Sequence, residues 1–377
     1  MSGTEAIHRC WAEVDLAALC HNAAVARQRC GTSLMAVVKA NAYGHGAIEV
    51  ARALQPTAAF FGVANVHEAC ELRAAGVETP ILLLSPCLPE EMPVAIAAGL
   101  HICVSSVPEA VAVDRTAASL GCTALVHAVV DTGMGRMGFT PEAWTDDALR
   151  ALLALPHLYW EGIASHLASA DEDADFTHRQ IADFHAAEAK ARTLGFRPRC
   201  VHVANSAGLL GFDDGGHALG TLARPGLMLY GIAPLPDYQS LLKPVLAWKT
   251  RVALVRRLPA DHGVSYGRTY VTPSPTVVAT LACGYADGYP RQISNRGGAV
   301  LIGGKRCPLL GRVTMDQMMV DVSALPEVPE TGAEAVLLGS QGEASISATE
   351  LAAQAGTIPW HILTGIGPRV ERVYLRA

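Results

Sequence analysis

Leu34–Gly46 reads LMAVVKANAYGHG. An apolar run ends on a lysine, and Asn, Tyr, Gly, His and Gly follow at once. An ammonium is costly to bury inside a strand, because it loses its hydration. At a strand's exit, facing a loop, the same lysine stands where parallel α/β folds do their chemistry. Similar runs recur downstream: FFGVAN (60–65), PILLLS (80–85), HICVSS (101–106), ALVHAVVDT (124–132), YWEGIASH (159–166), CVHVANS (200–206) and ARPGLMLYG (223–231). Between most of them lie Ala-rich stretches at helical spacing, several opening on Pro-Glu or an acid and closing at Gly. Alternating strands and helices predict parallel βαβ units, and near-continuous apolar strands predict burial on both faces. The count and size fit a (β/α)8 TIM-type barrel better than a doubly wound open sheet.

After Pro234 the texture changes. LPDYQSLLKP reads as a linker, and strand-like runs separated by Gly and Pro turns follow, with little helix before SATELAAQAG. The expected domains are a barrel over 1–240, its first ten or so residues packing with the second domain, and a mostly β domain over 241–377. The chain has 377 residues, half of them apolar and 17% charged, so a large core is expected and global disorder is not. The net charge of −6 argues against a nucleic-acid or membrane-surface binder. Ten cysteines, none spaced CxxC, read as small core residues rather than a metal or disulfide framework. MSGTEAIHRC lacks the apolar core of a signal peptide, and no membrane span is predicted, so the expected location is the cytoplasm.

In a barrel, function gathers at the strands' C-terminal ends. That rule collects Lys39 and Tyr43 after the first barrel strand, Arg136 in DTGMGRMG after the fifth, His166 after the sixth, Asn205 and Ser206 after the seventh, and Arg224 with Gly226 after the eighth. One lysine beside a site for phosphate suggests pyridoxal 5'-phosphate, which needs a lysine for its Schiff base, phosphate donors and a partner for the ring nitrogen. Arg224 is the candidate for that nitrogen; being donor-only, it leaves the nitrogen unprotonated. Singly, each residue has a plainer reading: a solvated lysine, a core histidine, a turn. Their joint position at strand ends raises the functional one.

At this point the chain resembles the bacterial alanine racemase family over nearly its whole length. AVVKANAYGHG, VDTGMGRMGF, SHLASADE, HVANSAG, ARPGLMLYG, VSYGRTY, GYADGYPR and GRVTMDQ are similar to that family's motifs, in order. The resemblance implies a pyridoxal-phosphate enzyme that interconverts L- and D-alanine and supplies D-alanine as an obligate homodimer with shared sites. It implies that Lys39 carries the cofactor and acts as one acid/base, and that Tyr266, reaching in from the partner subunit, is the other. Arg224 is implied at the pyridine nitrogen, with His166 bridging it to Tyr266. Tyr43, Ser206, Gly226 and the position of Trp360 are implied at the phosphate. Arg136 is implied near the ring oxygen and the substrate carboxylate, Met315 and Asp316 at the substrate rim, and Asp171, Tyr285, Arg291, Arg312 and Ile358 along the approach for substrate. No metal is implied.

Two departures stand out. Val129 occupies the place of a lysine that the family often carbamylates to balance the arginine, so a charge for Arg136 must come from elsewhere, such as chloride or an acidic neighbour, or be absent. Pro359-Trp360-His361 replaces the usual Asn-Tyr-Glu. Val129 and the larger indole of Trp360 motivate an alternative, a serine or broad-specificity racemase on the same fold. A barrel decarboxylase is disfavoured by Arg224, and a non-catalytic cofactor carrier by the second domain.

Overall fold

The structure is a computed structural model and describes residues 8–212 and 219–376. Residues 1–7, part of the stretch read for a leader, lie outside the described residues. The chain divides into two units. One comprises the described residues of Ala18–Ala42 and Ala47–Lys243; the other comprises those up to Ala17, Tyr43–Gly46 and those from Pro244 onward.

Strand β1 (Cys10–Asp15) opens the described chain and pairs in the second unit, beyond the ten residues expected to do so. The barrel strands follow: β2 (Ser33–Val37), β3 (Phe60–Val63), β4 (Ile81–Leu83), β5 (His101–Val104), β6 (Ala124–Val129), β7 (Leu158–Ala164), β8 (Cys200–His202) and β9 (Leu222–Ala223). All pair in parallel, in the order β8-β7-β6-β5-β4-β3-β2-β9. Thr221 N–H to Val201 O (2.8 Å) and Arg224 N–H to Ala204 O (2.9 Å) join the two ends and nearly close the barrel. Seven strands contribute Met35, Phe60, Leu82, Cys103, Val129, Ala164 and Leu222 to one apolar interior layer. Several helices between strands start on side-chain caps, for example Ser106 on Glu109 N–H and Asp173 on Phe176 N–H.

The last barrel strand is far shorter than the 223–231 run suggested. The ladder stops at Ala223, and Leu227–Tyr230 is a 3₁₀ turn. Pro225 has no N–H to continue the pairing, so the chain leaves the sheet where Arg224 is placed.

The second unit is mainly antiparallel. Its spine, β10 (Leu246–Leu258), alternates buried and half-buried residues over LAWKTRVA, as a strand with one face in a core must. A hairpin of β11 (Gly263–Val264) and β12 (Tyr270–Val271) follows, then β13 (Thr276–Leu281), β14 (Ala299–Ile302), β15 (Lys305–Pro308), β16 (Met318–Asp321), β17 (Glu334–Gln341), β18 (Ala344–Ile346) and β19 (Glu371–Leu375). β10 pairs with β1, β13 and β17, and β1 also pairs in parallel with β19. Helices Ala348–Ala355 and Pro359–Thr364 lie between β18 and β19. No described helix is long and apolar enough to cross a membrane.

Candidate active site

The loop after β2 is unusual backbone. Ala40, Asn41, Ala42 and Tyr43 all have φ between 52° and 54°, a left-handed turn of four non-glycine residues. Each such residue costs about 1–2 kcal/mol against the right-handed form. Hydrogen bonds offset it: Glu68 takes the Ala40 N–H (2.7 Å) on one oxygen and the Ala64 N–H (2.7 Å) on the other. Asn41 Oδ1 accepts from Ala47 N–H (2.8 Å), and Ala42 N–H donates to Val38 O (2.8 Å). The turn thus fixes the chain on either side of Lys39, which is half-buried at the strand exit. Burial lowers its ammonium from the usual range, Arg136 and Arg224 lower it further, and Glu68 opposes them. The amine is therefore biased toward the neutral, nucleophilic form.

Arg224 is buried, and its two terminal nitrogens are fully committed. Nη1 donates to His202 Nδ1 (2.8 Å) and His202 O (2.6 Å); Nη2 donates to Ser165 O (2.6 Å), His166 Nδ1 (3.1 Å) and Val203 O (3.3 Å). Nε has no hydrogen-bond partner among the described residues, which leaves it as the donor for a ligand. Burial pulls the guanidinium down to about 10, so it stays charged at neutral pH. His166 accepts from Arg224 at Nδ1, so as a neutral ring it carries its proton on Nε2.

Ser206 caps the same mouth. It begins the helix Ser206–Gly211, capped by Asn205, and its Oγ accepts from Gly226 N–H (2.9 Å) and Met228 N–H (3.4 Å). Two incoming donors leave the Ser206 O–H itself to donate outward. Arg136 stands exposed in its glycine-flanked loop. Val129 lies in the apolar layer, and Asp131 accepts from the amides of Gly133, Met134 and Gly135 (2.8–3.1 Å). Asp171 is exposed in the loop between β7 and the helix Ala174–Thr193.

The other candidates belong to the second unit. Tyr266 sits at the tip of the β11–β12 hairpin, 69% exposed, on a turn where Ser265, Gly267 and Arg268 all have positive φ. Ser265 Oγ donates to Arg312 O (2.6 Å), and a Cβ on Gly267 would lie 3.1 Å from the Arg312 guanidinium, so Arg312 backs the tip. Tyr285 N–H donates to Thr314 O (3.0 Å) and Ala286 N–H to Met315 O (2.9 Å), which ties the Tyr285 and Met315 loops together. Asp316 pairs with Arg369 (2.8 Å), and Arg291 begins a short 3₁₀ turn. Tyr43 is buried, which pushes its phenol up to about 12 and keeps it a donor. A Cβ on Gly44 would lie 2.2 Å from Leu363 O, so the Tyr43 turn sits against the helix that carries Trp360 and is preceded by Ile358.

Sequence reasoning passed over His101, His127 and His202, which lie inside barrel strands. Their only signal was an imidazole within an otherwise apolar run. Burial is the leading cause that holds all of them, and His166, low: His101 to about 4, His166 to about 3, His127 and His202 well below the usual value. An unfolded chain protonates these rings near 6.5, so stability is fully present above that pH and falls as pH drops toward 4. Each ring withdraws about 1.4 kcal/mol per pH unit in that window. The urea midpoint is expected to be much lower at pH 5 than at pH 7; equal midpoints would show that the rings are not held neutral.

Comparison with known proteins adds the following. The family model described as "Alanine racemase, N-terminal domain" matches residues 14–234, and "Alanine racemase, C-terminal domain" matches residues 245–374. The chain is 45% identical over 370 residues to a protein named alanine racemase from Symbiobacterium thermophilum, covering 97% of this chain and 96% of that one. Among solved structures, alanine racemase from Streptomyces lavendulae superposes with a TM-score of 0.91 at 39% identity, covering 99% of this chain and 98% of that one. The Bacillus anthracis alanine racemase, solved with bound L-Ala-P, gives a TM-score of 0.89 at 35% identity, with 99% and 96% covered.

Proposed function

The chain belongs to the alanine racemase family, and from that premise we propose that it interconverts L- and D-alanine using pyridoxal 5'-phosphate, Lys39, and Tyr266 of the partner subunit. The observation that carries the proposal is the Lys39 amine, depressed by burial and by two arginines at the mouth of the barrel.

The residues present fit that cofactor. Lys39 is the amine that would hold it. Ser206 keeps a hydroxyl proton to donate to phosphate, and Tyr43 keeps its phenolic proton. Gly226 and Trp360 complete the set assigned to the phosphate. Arg224 offers Nε–H, a donor that accepts no proton, so a ring nitrogen facing it stays unprotonated. When bound, the cofactor supplies the electron sink that acidifies the substrate Cα–H. An unprotonated ring nitrogen limits that sink, which favours return of the proton to Cα over its loss elsewhere.

Racemisation requires a proton to leave one face of Cα and arrive on the other. Lys39 handles one face. The partner subunit's Tyr266 handles the other. His166 helps there: its Nε2–H is the donor left after Nδ1 has accepted from Arg224, and it stabilises a phenolate in front of it. The charge of Arg136 serves twice. It attracts the substrate carboxylate, and it helps keep Lys39 neutral. Met315, Asp316, Asp171, Tyr285, Arg291, Arg312 and Ile358 bound the substrate and its approach. Exposed large side chains support the dimer: Tyr266 at the hairpin tip, and Tyr285, Met315 and Ile358 on other loops of the same unit. A cytoplasmic homodimer is the assembly that follows.

The relatives' names favour alanine over serine. A panel of L-alanine, L-serine and L-lysine, read by chiral chromatography with added pyridoxal phosphate, tests the assignment. D-alanine should form much faster than D-serine. Faster serine turnover would favour the serine or broad-specificity alternative, and carbon dioxide release without racemisation would reject the assignment.

A further inference from the structure

The barrel core holds a row of imidazoles that the reaction above does not use. His202 Nε2 lies 2.9 Å from His127 Nδ1, and His127 Nε2 lies 3.1 Å from His101 Nδ1. His202 Nδ1 in turn faces Arg224 Nη1 at 2.8 Å. All three rings are buried, at positions where barrels ordinarily place Val, Ile or Leu. Three polar rings in such a core are unfavourable unless each finds a partner.

The backbone is shaped for this row. His127 is on β6 and His202 on β8, with β7 between them. The β7 residue paired with His127 is Gly162. A Cβ there would lie 2.2 Å from His127 Nδ1, so only glycine leaves the path open. Phe60 packs edge-on against both His101 and His127 and fixes their ring planes.

The row also has a direction. Arginine can only donate, so His202 Nδ1 must accept. A neutral His202 then carries its proton on Nε2 and donates to His127 Nδ1. His127 likewise carries Nε2–H and donates to His101 Nδ1. The row ends at His101, which lines a cavity of about 640 Å³ at the strands' N-terminal ends together with Tyr159, Glu161 and Arg199. Each ring polarises the next, which strengthens the acceptor presented to Arg224. Reversing any one tautomer puts N–H against N–H somewhere in the row.

We propose that His127 and His101 are positioning residues for Arg224, acting through His202 as one directed chain of imidazoles. The chain, with the His202 carbonyl, holds the Nη1 edge of the guanidinium, while the Ser165 and Val203 carbonyls and His166 hold Nη2, so that Nε keeps a fixed aim. The inference rests on the reading of the barrel mouth as the cofactor site, but its first test does not.

That first test is ¹⁵N NMR of the holoenzyme labelled in its imidazoles. His101, His127 and His202 are expected as neutral Nε2–H tautomers at pH 7. An Nδ1–H tautomer at His202 or His127 would overturn the proposal whatever the enzyme's activity. The second test compares His127→Met with His127→Gln. Methionine fills the space but breaks the chain, and kcat is expected to fall roughly tenfold with KM and cofactor occupancy unchanged, as for one weakened charge-assisted hydrogen bond. Glutamine accepts with its oxygen and donates with its nitrogen, so it should recover most of that loss. Equal losses in both variants, tracking a loss of thermal stability, would assign the row to packing alone and overturn the proposal, as would no loss in either. Absence of racemisation by the unaltered enzyme would count against the proposed function instead, and the tautomers would still decide the chain.

Discussion

Replacing Tyr266 by phenylalanine is expected to lower kcat for alanine by about 10²–10⁴, the usual worth of a positioned acid/base. The change removes one hydroxyl from a side chain that is 69% exposed at a hairpin tip. That oxygen makes no hydrogen bond among the described residues, so the melting temperature should stay within about a degree or two, as for other exposed positions. The loss should appear in kcat more than in KM, because the phenol acts on the proton and not on binding. Stopped-flow or chiral assays in both directions check it, with cofactor occupancy measured in parallel. A variant that keeps full turnover would remove Tyr266 from the mechanism.

The second large effect is at Lys39. Lys39→Ala is expected to bring racemisation to the assay background, a loss exceeding about 10³, because the same amine both holds the cofactor and moves a proton. The fold should survive. The left-handed turn after Lys39 is held by Glu68, Asn41 and the Val38 carbonyl, none of which touches the lysine amine in doing so. Circular dichroism and the melting curve should therefore match the parent, while pyridoxal phosphate becomes removable by gel filtration. Retained turnover would contradict the role of Lys39, and a collapsed fold would show that the turn needs the lysine.

Much of this was legible in the sequence for a physical reason. A lysine after AVV must leave the sheet, because the interior offers no hydration, and the same rule placed His166 and Arg224 at strand exits. Other features were not legible. Ala40, Asn41 and Ala42 give almost no warning of a left-handed turn, since what stabilises it is Glu68, on the helix after the next strand. β1 runs past the ten or so residues expected to pack with the second domain, and residues 43–46 group with the second unit; local pattern encodes neither. The acidic neighbour left open for Arg136 could not be named from sequence, and Asp131, close by in the same loop, has its oxygens turned to three loop amides. His101, His127 and His202 drew no notice, each being one imidazole within an otherwise apolar run. Only the register of β6 against Gly162 shows that they align.

The central claim is that one reaction uses two proton-handling groups from two chains. Mixing Lys39→Ala with Tyr266→Phe, unfolding and refolding together, tests it most directly. Each parent homodimer should be inactive, while each mixed dimer should contain one intact site and one doubly altered site. Random reassociation of a two-fold dimer then restores about a quarter of the unaltered activity. If Tyr266 instead served the Lys39 of its own chain, no pairing could rebuild a site, and the mixture would stay as inactive as its parents.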